Sequence, residues 1–288
     1  MMKLTIIGAG NVGITIARKI IQIEDLDYEI IYNSRKSFEN AIEKGIAREK
    51  LILPLEADIE SKFVIICVPD GEIENLANLL SQVDSELLSD KIIFHTSGTK
   101  TKECLSSLEK LGCEVAAAHP YQTFFNNEPD ILNGIAWGID ADEKVFDKLK
   151  VLIKKLDGIP IKLSSETVQR KALYHISAVA ASNFMALAIE YAKDIAKDVG
   201  IDAKEFLPRI METTLQNNIS QFSSDLPAIT GPVVRGDSET ISSHLQELGN
   251  TANGVIYRNM CESLALLAME KGILPLEKFE QILDILES

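Results

Sequence analysis

Lys3-Leu4-Thr5-Ile6-Ile7-Gly8-Ala9-Gly10-Asn11-Val12-Gly13 is an apolar run that passes directly into glycines. The run predicts a buried strand over residues 3–8, and the segment after it, 12–22, has helical spacing. Gly8, Gly10 and Gly13 form G-x-G-x-x-G between them. In that context the first glycine makes the tight turn, the second lets a pyrophosphate approach the backbone, and the third lets helix pack on strand. The helix start at Asn11 and Val12 offers free N–H groups to phosphates. A purely structural turn is the other reading of the same glycines.

The pattern continues outward from this unit. Residues 28–32, 63–68, 91–95, 114–118 and 135–139 are further Ile- and Val-rich runs, most of them apolar on both faces. Helix-like segments at 72–82, 101–111 and 143–156 lie between them. Strands alternating with helices predict a mostly parallel sheet covered on both sides. After residue 163 the strand signal disappears. Helical pattern runs from 165 to 199 and stops at Gly200; further helices are predicted at 203–217, 238–248, 251–271 and 276–286, with a Pro/Gly loop at 225–237. The expected fold is an α/β dinucleotide-binding domain over 1–163 followed by an all-α domain over 164–288. The helix from 165 to 199 would be about 50 Å long. Its middle is apolar nearly all round, which predicts a buried helix covered by other helices, including those of a second subunit.

Composition narrows the function. The 288 residues carry 29 Lys and Arg against 43 Asp and Glu, a formal charge of −14. That excess argues against nucleic acid or an anionic membrane surface as partner. A local basic site still suits a small anionic ligand. The four cysteines (Cys67, Cys104, Cys113, Cys261) form no C-x-x-C pair. They fit buried thiols in a reducing, cytoplasmic compartment, and no metal site is expected. No cleavable signal is expected at the N-terminus. The best membrane candidate, 172–192, is interrupted by His175, Ser177, Ser182, Asn183 and Glu190, so it reads as a core helix and not a span.

Cofactor choice is read at the end of the second strand. An NAD site places a carboxylate about 20 residues past the glycines. Here that region is Tyr32-Asn33-Ser34-Arg35-Lys36, with no carboxylate. Arg35 and Lys36 suit a 2′-phosphate, and Asn33 and Ser34 can donate to it, so NADPH is expected over NADH. Solvated charges at a helix start are the alternative for Arg35 and Lys36. Three more polar turns are expected on the same sheet edge: Val68-Pro69-Asp70, His95-Thr96-Ser97-Gly98-Thr99 and His119-Pro120-Tyr121. Thr96 is assigned with Val68, Pro69 and Asp70 to the cofactor, and Ser97 and His119 to the substrate.

Lys171, His175, Ser182 and Asn183 share one predicted helix face. Polar groups on an apolar helix need partners, and substrate would provide them. Reduction of a C=O needs a proton and a positive field at the oxygen; Lys171 or His175 can supply both. Ser182 and Asn183 join the substrate set, as do Arg235, a bidentate clamp for a carboxylate, and Asp237 of the Thr230-Gly231-Pro232-Val233-Val234-Arg235-Gly236-Asp237 loop.

Gly8-Ala9-Gly10-Asn11-Val12-Gly13, Val68-Pro69-Asp70, His95-Thr96-Ser97-Gly98, His119-Pro120, Leu173-Tyr174-His175 with Ala181-Ser182-Asn183, and Thr230-Gly231-Pro232 with Arg235-Gly236-Asp237 occur in that order. The set resembles a family with a Rossmann-like N-terminal domain and an α-helical C-terminal domain of formerly unknown function. Some of its members are alternative ketopantoate reductases. It is similar to pyrroline-5-carboxylate reductases and to coenzyme-F420-dependent NADP oxidoreductases. In the wider hydroxyacid dehydrogenase and ketopantoate reductase group a helix lysine is the catalytic acid, with an asparagine four residues on. Lys171 matches that lysine, and His175 stands where the asparagine would be. Ser97-Gly98 resembles the group's substrate-binding turn, and related reductases dimerise through interlocked helical domains. The resemblance implies an NADPH-dependent reductase of a small keto acid, ketopantoate in pantothenate biosynthesis. The alternatives are a cyclic imine reductase of the pyrroline-5-carboxylate kind, and a non-catalytic NADP(H)-sensing protein.

Overall fold

A computed structural model describes residues 2–54, 60–82 and 88–287. Among them, eight strands form one sheet: β1 (Met2–Ile7), β2 (Leu26–Ile31), β3 (Leu51–Ile52), β4 (Phe63–Ile66), β5 (Ile92–His95), β6 (Glu114–Pro120), β7 (Ala136–Asp140) and β8 (Ile159–Lys162). Their order is β3-β2-β1-β4-β5-β6-β7-β8, parallel throughout except for the β6–β7 pair. Strand order reverses at β1, beside β2 on one side and β4 on the other. In open sheets of this kind, ligands bind outside the carboxyl ends of the strands at that reversal.

The two-sided apolar strands follow from the two cores. Leu4, Ile6, Ile30 and Ile65 pack on one face with Ile14 and Ile20 of helix Asn11–Ile21 and Leu149 and Leu152 of helix Glu143–Lys155. Ile7, Ile31, Val64 and Ile66 pack on the other with Ile73 and Ala77 of helix Ile73–Leu80. One polar pair sits inside the strands: the Thr5 hydroxyl donates to Glu29 at 2.8 Å, and Lys3 pairs with Glu29 at 2.9 Å. Glu29 is thus buried with its charge matched, as a buried carboxylate must be.

Two strands escape the sequence pattern. β3 has two residues, and β8 carries Pro160 at an exposed sheet edge, where proline is tolerated. The helix expected over 101–111 is instead a 3₁₀ turn, Lys102–Leu105, followed by one α-helical turn, Ser106–Glu109.

The chain divides into two compact units, Met1–Asn183 and Phe184–Ser288. The division falls later than the loss of strand pattern at 163, because the first helical turns after β8 pack in the sheet unit. The single helix expected over 165–199 is segmented: Ser165–Gln169, Lys171–Val179, a π-helical turn Ala180–Phe184, and Met185–Asp198. Ser164 caps its start by accepting from Thr167 N, and the backbone leaves helical geometry at Arg170. Ser182 Oγ bonds back to the Ala178 carbonyl at 2.7 Å within the π turn. Such back-bonding loosens the i→i−4 ladder, and π turns recur at functional sites.

In the second unit, helices Ser238–Leu248, Ala252–Glu270 and Leu276–Glu287 enclose Ile241, Leu245, Cys261, Ala265, Ala268, Ile282 and Leu286. Pro232–Arg235 forms a short helical turn where a loop was expected, bracketed by Gly231 at φ +110° and Gly236 at φ +66°. Helices Met185–Asp198 and Ala203–Ser220 pack on each other. The expected burial of the long helix is not supplied by the chain itself. Between Lys171 and Asp198 only Lys171 and Ala196 are buried. That stretch is long and apolar enough to cross a membrane.

Candidate active site

The three motif glycines have different jobs. Gly8 sits at φ +116°, and a Cβ there would lie 2.4 Å from the Cys67 carbonyl. A Cβ on Gly13 would lie 2.2 Å from the Gly8 carbonyl. Both are required by the protein itself. Gly10 is not: its Cβ would approach nothing nearer than the Cys67 carbonyl at 4.0 Å. Helix Asn11–Ile21 has no capping side chain and no acid in its first turn. Its N-terminal N–H groups are thus left for an anion. A cavity of about 600 Å³ opens here, lined by Gly8, Gly10, Asn33, Ser37, Val68 and Pro69 among others. A Gly10 that the protein does not need, beside an uncapped helix start and an open cavity, fits a dinucleotide pyrophosphate.

The other expected cofactor residues are placed unevenly. Ser34 spends its hydroxyl as a helix cap, accepting from Ser37 N at 3.1 Å. Arg35 begins helix Arg35–Glu43 with its side chain 91% exposed, bonded to Glu39 at 2.7 Å. An exposed pair of this kind is worth little and yields readily to a phosphate. Asn11 donates to the Phe124 carbonyl at 2.9 Å, and Asn127 returns a bond to the Asn11 carbonyl. Asn11 therefore ties the glycine loop to the segment after β6. Val12 packs partly buried beneath it. Asp70 accepts from Thr99 at 2.7 Å, joining the turns after β4 and β5. The Thr96 hydroxyl reaches the Ile66 carbonyl at 3.5 Å. Burial holds the Cys67 thiol up at about 12, so it is inert as a nucleophile.

The expected substrate residues divide in the same way. Ser97 is buried and its Oγ accepts from Thr99 N and Lys100 N, so it shapes the turn. Beside that turn stands a cluster from β6 and helix Lys171–Val179. His119 Nδ1 lies 3.0 Å from the Tyr174 hydroxyl. The His119 ring also meets Tyr121 and His175 edge-on, with centroids 5.6 and 5.7 Å away. The Tyr121 hydroxyl lies 2.5 Å from Ser177 Oγ, which donates to the Tyr174 carbonyl. A Cβ on Gly98 would lie 2.5 Å from His175 Nδ1 and 2.9 Å from His119 Nε2. Lys171 is 2% exposed and donates to the Lys100 carbonyl. Burial pulls its ammonium down from the ordinary lysine value, against the raising field of Asp140. Tyr174, Tyr121 and Ser177 were not anticipated as site residues. Tyr174 stood in the quoted Leu173-Tyr174-His175 triplet, but only the fold shows that its hydroxyl meets β6.

Ser182 and Asn183 bond each other at 2.9 Å in the π turn. In the second unit, Asp237 caps helix Ser238–Leu248, accepting from Thr240 N at 3.1 Å and Thr240 Oγ1 at 2.9 Å. Those bonds, then Arg235 at 3.7 Å, hold its carboxyl below the ordinary value. The Arg235 guanidinium is exposed. No cluster of three or more metal-ligating His, Cys, Asp or Glu side chains exists among the described residues.

The cluster carries a pH signature. Burial holds His95 and His119 neutral, each down at about 4 from 6.5; His95 is opposed by the Thr101 carbonyl, and His119 is pushed further by His175 and Lys171. On acidification the unfolded chain takes up these protons near 6.5 and the folded chain only near 4. Stability therefore falls across that window and levels off below it. Each buried histidine accounts for up to about 3 kcal/mol of this fall. Urea midpoints should drop between pH 6.5 and 5, and His119→Gln should remove roughly half of the drop. A midpoint flat with pH in both proteins would mean that the histidines charge inside the fold.

Residues 1–120 match a family model described as a Rossmann-like domain, and residues 135–264 match one described as a domain of unknown function, DUF2520. The chain is a Rossmann-like domain followed by a DUF2520 domain. The Rossmann-like match ends with β6, and the DUF2520 match takes in β7, β8 and most of the helical region. Lys171 and His175 thus belong to the DUF2520 domain, and Gly98 and His119 to the Rossmann-like one. No curated protein matches the chain. Among solved structures, a Bacteroides fragilis protein provisionally named an NADP oxidoreductase is similar at 23% identity and TM-score 0.71, covering 92% of this chain and 98% of that one. A Myxococcus stipitatus imine reductase in complex with NADP+ is similar at 13% identity and TM-score 0.62, covering 93% of each chain. An Aspergillus terreus reductive aminase with NADPH and ethyl levulinate is similar at 15% identity and TM-score 0.65, covering 98% of each chain. At these identities the likeness is one of fold.

Proposed function

We propose that the protein is an NADPH-dependent reductase of a small 2-keto acid, with ketopantoate as substrate in pantothenate biosynthesis. The observation that carries this reading is the His119 and His175 pair at Gly98, with Lys171 bonded to the Lys100 carbonyl in the same turn, on the same sheet edge as the glycine loop. NADPH when bound supplies hydride to an unsaturated carbon. Gly8, Gly10 and Gly13 with the helix start would hold its pyrophosphate, and Asn33 and Arg35 would read its adenosine ribose. Two of the solved structures similar in fold, the imine reductase and the reductive aminase, contain NADP+ or NADPH, which supports the same cofactor. Lys171 provides positive charge and a proton to the substrate oxygen, and the histidines orient it. Arg235 is proposed as the carboxylate clamp, with Ser182, Asn183 and Asp237 in supporting contacts.

Following loss of NADPH absorbance with ketopantoate, other short 2-keto acids and pyrroline-5-carboxylate tests the assignment. Turnover of ketopantoate is expected. Turnover of the imine alone would establish the second reading, which the fold likeness to an imine reductase and a reductive aminase favours. Tight NADPH binding with no turnover of any of them would identify a sensor.

The 2′-phosphate reading has its own test. A charged hydrogen bond is worth about 1.5–3 kcal/mol, so Arg35→Ala should weaken NADPH at least about tenfold and leave NADH unchanged. Equal weakening of both would remove Arg35 from the site.

The working form is proposed to be a cytoplasmic homodimer. Within the second unit, Met185, Leu187, Phe206, Ile210, Leu215 and Ile219 are exposed in the single chain. An apolar surface of this extent is normally covered, and a second copy would cover it. The net charge of −14 opposes an anionic membrane surface or nucleic acid in that role. Light scattering at micromolar concentration should give about twice the mass of one chain; a monomer would leave the dimer untenable.

A further inference from the structure

His119 is held by one hydrogen bond whose direction is fixed by elimination. The Tyr174 hydroxyl bonds to His119 Nδ1 and to no other group among the described residues. If Nδ1 carried the proton, the phenol O–H would have no acceptor among the described residues, a cost desolvated hydroxyls avoid. Burial keeps the Tyr174 phenol protonated and the His119 imidazole neutral at pH 7. The phenol therefore donates, Nδ1 accepts, and the imidazole proton sits on Nε2.

That Nε2–H faces the Gly98 turn. A Cβ on Gly98 would lie 2.9 Å from His119 Nε2, and 2.5 Å from His175 Nδ1. His175 Nδ1 is buried and has no hydrogen-bond partner among the described residues. Both rings therefore pack against Gly98 itself, where no side chain fits. Gly138 plays a matching role behind them: a Cβ there would strike the Tyr174 hydroxyl at 2.3 Å. Neither glycine has the positive φ that would require glycine for backbone reasons. Both are side-chain-free in ways that serve this cluster.

We propose that Tyr174 is a positioning residue: it locks His119 as the Nε2–H tautomer and so fixes which ring nitrogen offers a donor at the Gly98 turn. That a substrate oxygen takes this donor rests on the reductase reading; the tautomer does not. A keto oxygen accepts from His119 Nε2–H.

The test is ¹⁵N NMR of histidine-labelled full-length protein, in which protonated and bare ring nitrogens resonate far apart. The four histidines make assignment tractable. His244, whose Nδ1 lies 2.7 Å from the Tyr257 hydroxyl, is an internal control from another His–Tyr pair. The wild type should show a bare Nδ1 and a protonated Nε2 at His119. Tyr174→Phe, which keeps the ring, should turn His119 into a tautomer mixture while His244 is unchanged. A protonated Nδ1 in the wild type, or a His119 pattern untouched by Tyr174→Phe, overturns the lock. Under turnover, Tyr174→Phe should raise KM for the keto acid about three- to tenfold, the effect of one hydrogen bond, with NADPH affinity unchanged. Ketopantoate should shift the His119 Nε2 signal. A signal that stays put while turnover proceeds overturns the contact of substrate with His119. Absence of any turnover by wild-type protein would sink the reductase reading, and the His119 pattern would still decide the lock.

Discussion

Gly10→Val should abolish dinucleotide binding and leave the fold intact. A side chain on Gly10 meets open space on the protein side, since nothing lies nearer to its Cβ than 4.0 Å. Its φ of −86° is one that valine adopts without strain. The volume the new side chain takes is the volume a pyrophosphate would occupy against the helix start. Displacing it from even two charge-assisted backbone N–H bonds costs about 3–6 kcal/mol, more than about a hundredfold in affinity. NADPH and NADH should be lost together, because both carry the pyrophosphate. Isothermal titration measures the binding, and a thermal melt shows whether the fold survives. Gly13→Ala is the contrasting variant: its methyl group would meet the Gly8 carbonyl at 2.2 Å, so its melting temperature should fall. Retained NADPH affinity in folded Gly10→Val would remove the dinucleotide site from this loop.

That contrast shows what a sequence can and cannot disclose. Gly8, Gly10 and Gly13 look alike in the motif; what Gly8 must avoid shows only when Cys67, just past β4, is brought against it, and what Gly13 must avoid is the Gly8 carbonyl itself. The sheet was legible because Leu4, Ile6, Ile7 and Ile31 are apolar on both faces, which few structures other than a covered parallel strand require. β8 was not, because Ile159-Pro160-Ile161-Lys162 is short, exposed and interrupted by proline. Ser34 and Ser97 were correctly placed on the sheet edge, but a hydroxyl beside a turn has two uses, and both serines cap or shape backbone. The segmentation of the helix after Ser164 was hidden for a related reason. Helical propensity is read over a window, whereas the break is a single residue, Arg170, at φ −114° and ψ 30°. Tyr174 had no signal of its own; a tyrosine on an apolar helix is ordinary until β6 places His119 3.0 Å from its hydroxyl.

Lys171→Met should lower kcat by about 10²–10⁴, the usual contribution of a positioned general acid, and leave NADPH affinity where it was. Methionine matches the length of the lysine stem, so the buried channel stays filled and the loss isolates the ammonium. Lys171 is 2% exposed, and burial holds its pKa below the ordinary 10.5. A depressed value makes the proton easier to give than that of a surface lysine, while the charge still steadies the oxygen as it becomes anionic. Its bond to the Lys100 carbonyl uses one N–H and leaves others for substrate. The pH profile follows with a definite sign. An acid must be protonated to act, so kcat should fall as pH rises through the Lys171 pKa, at a pH below 10.5. Lys171→Met should lose that alkaline limb altogether. His175→Asn, which keeps a hydrogen-bonding side chain, should be milder than His175→Ala if His175 orients the oxygen and does not protonate it. If Lys171→Met keeps near-normal kcat with its alkaline limb in place while His175→Asn destroys activity, the roles are reversed and the histidine is the acid. If both variants turn over normally, the proton comes from elsewhere, and His119, whose Nε2 faces Gly98, is the group to replace next.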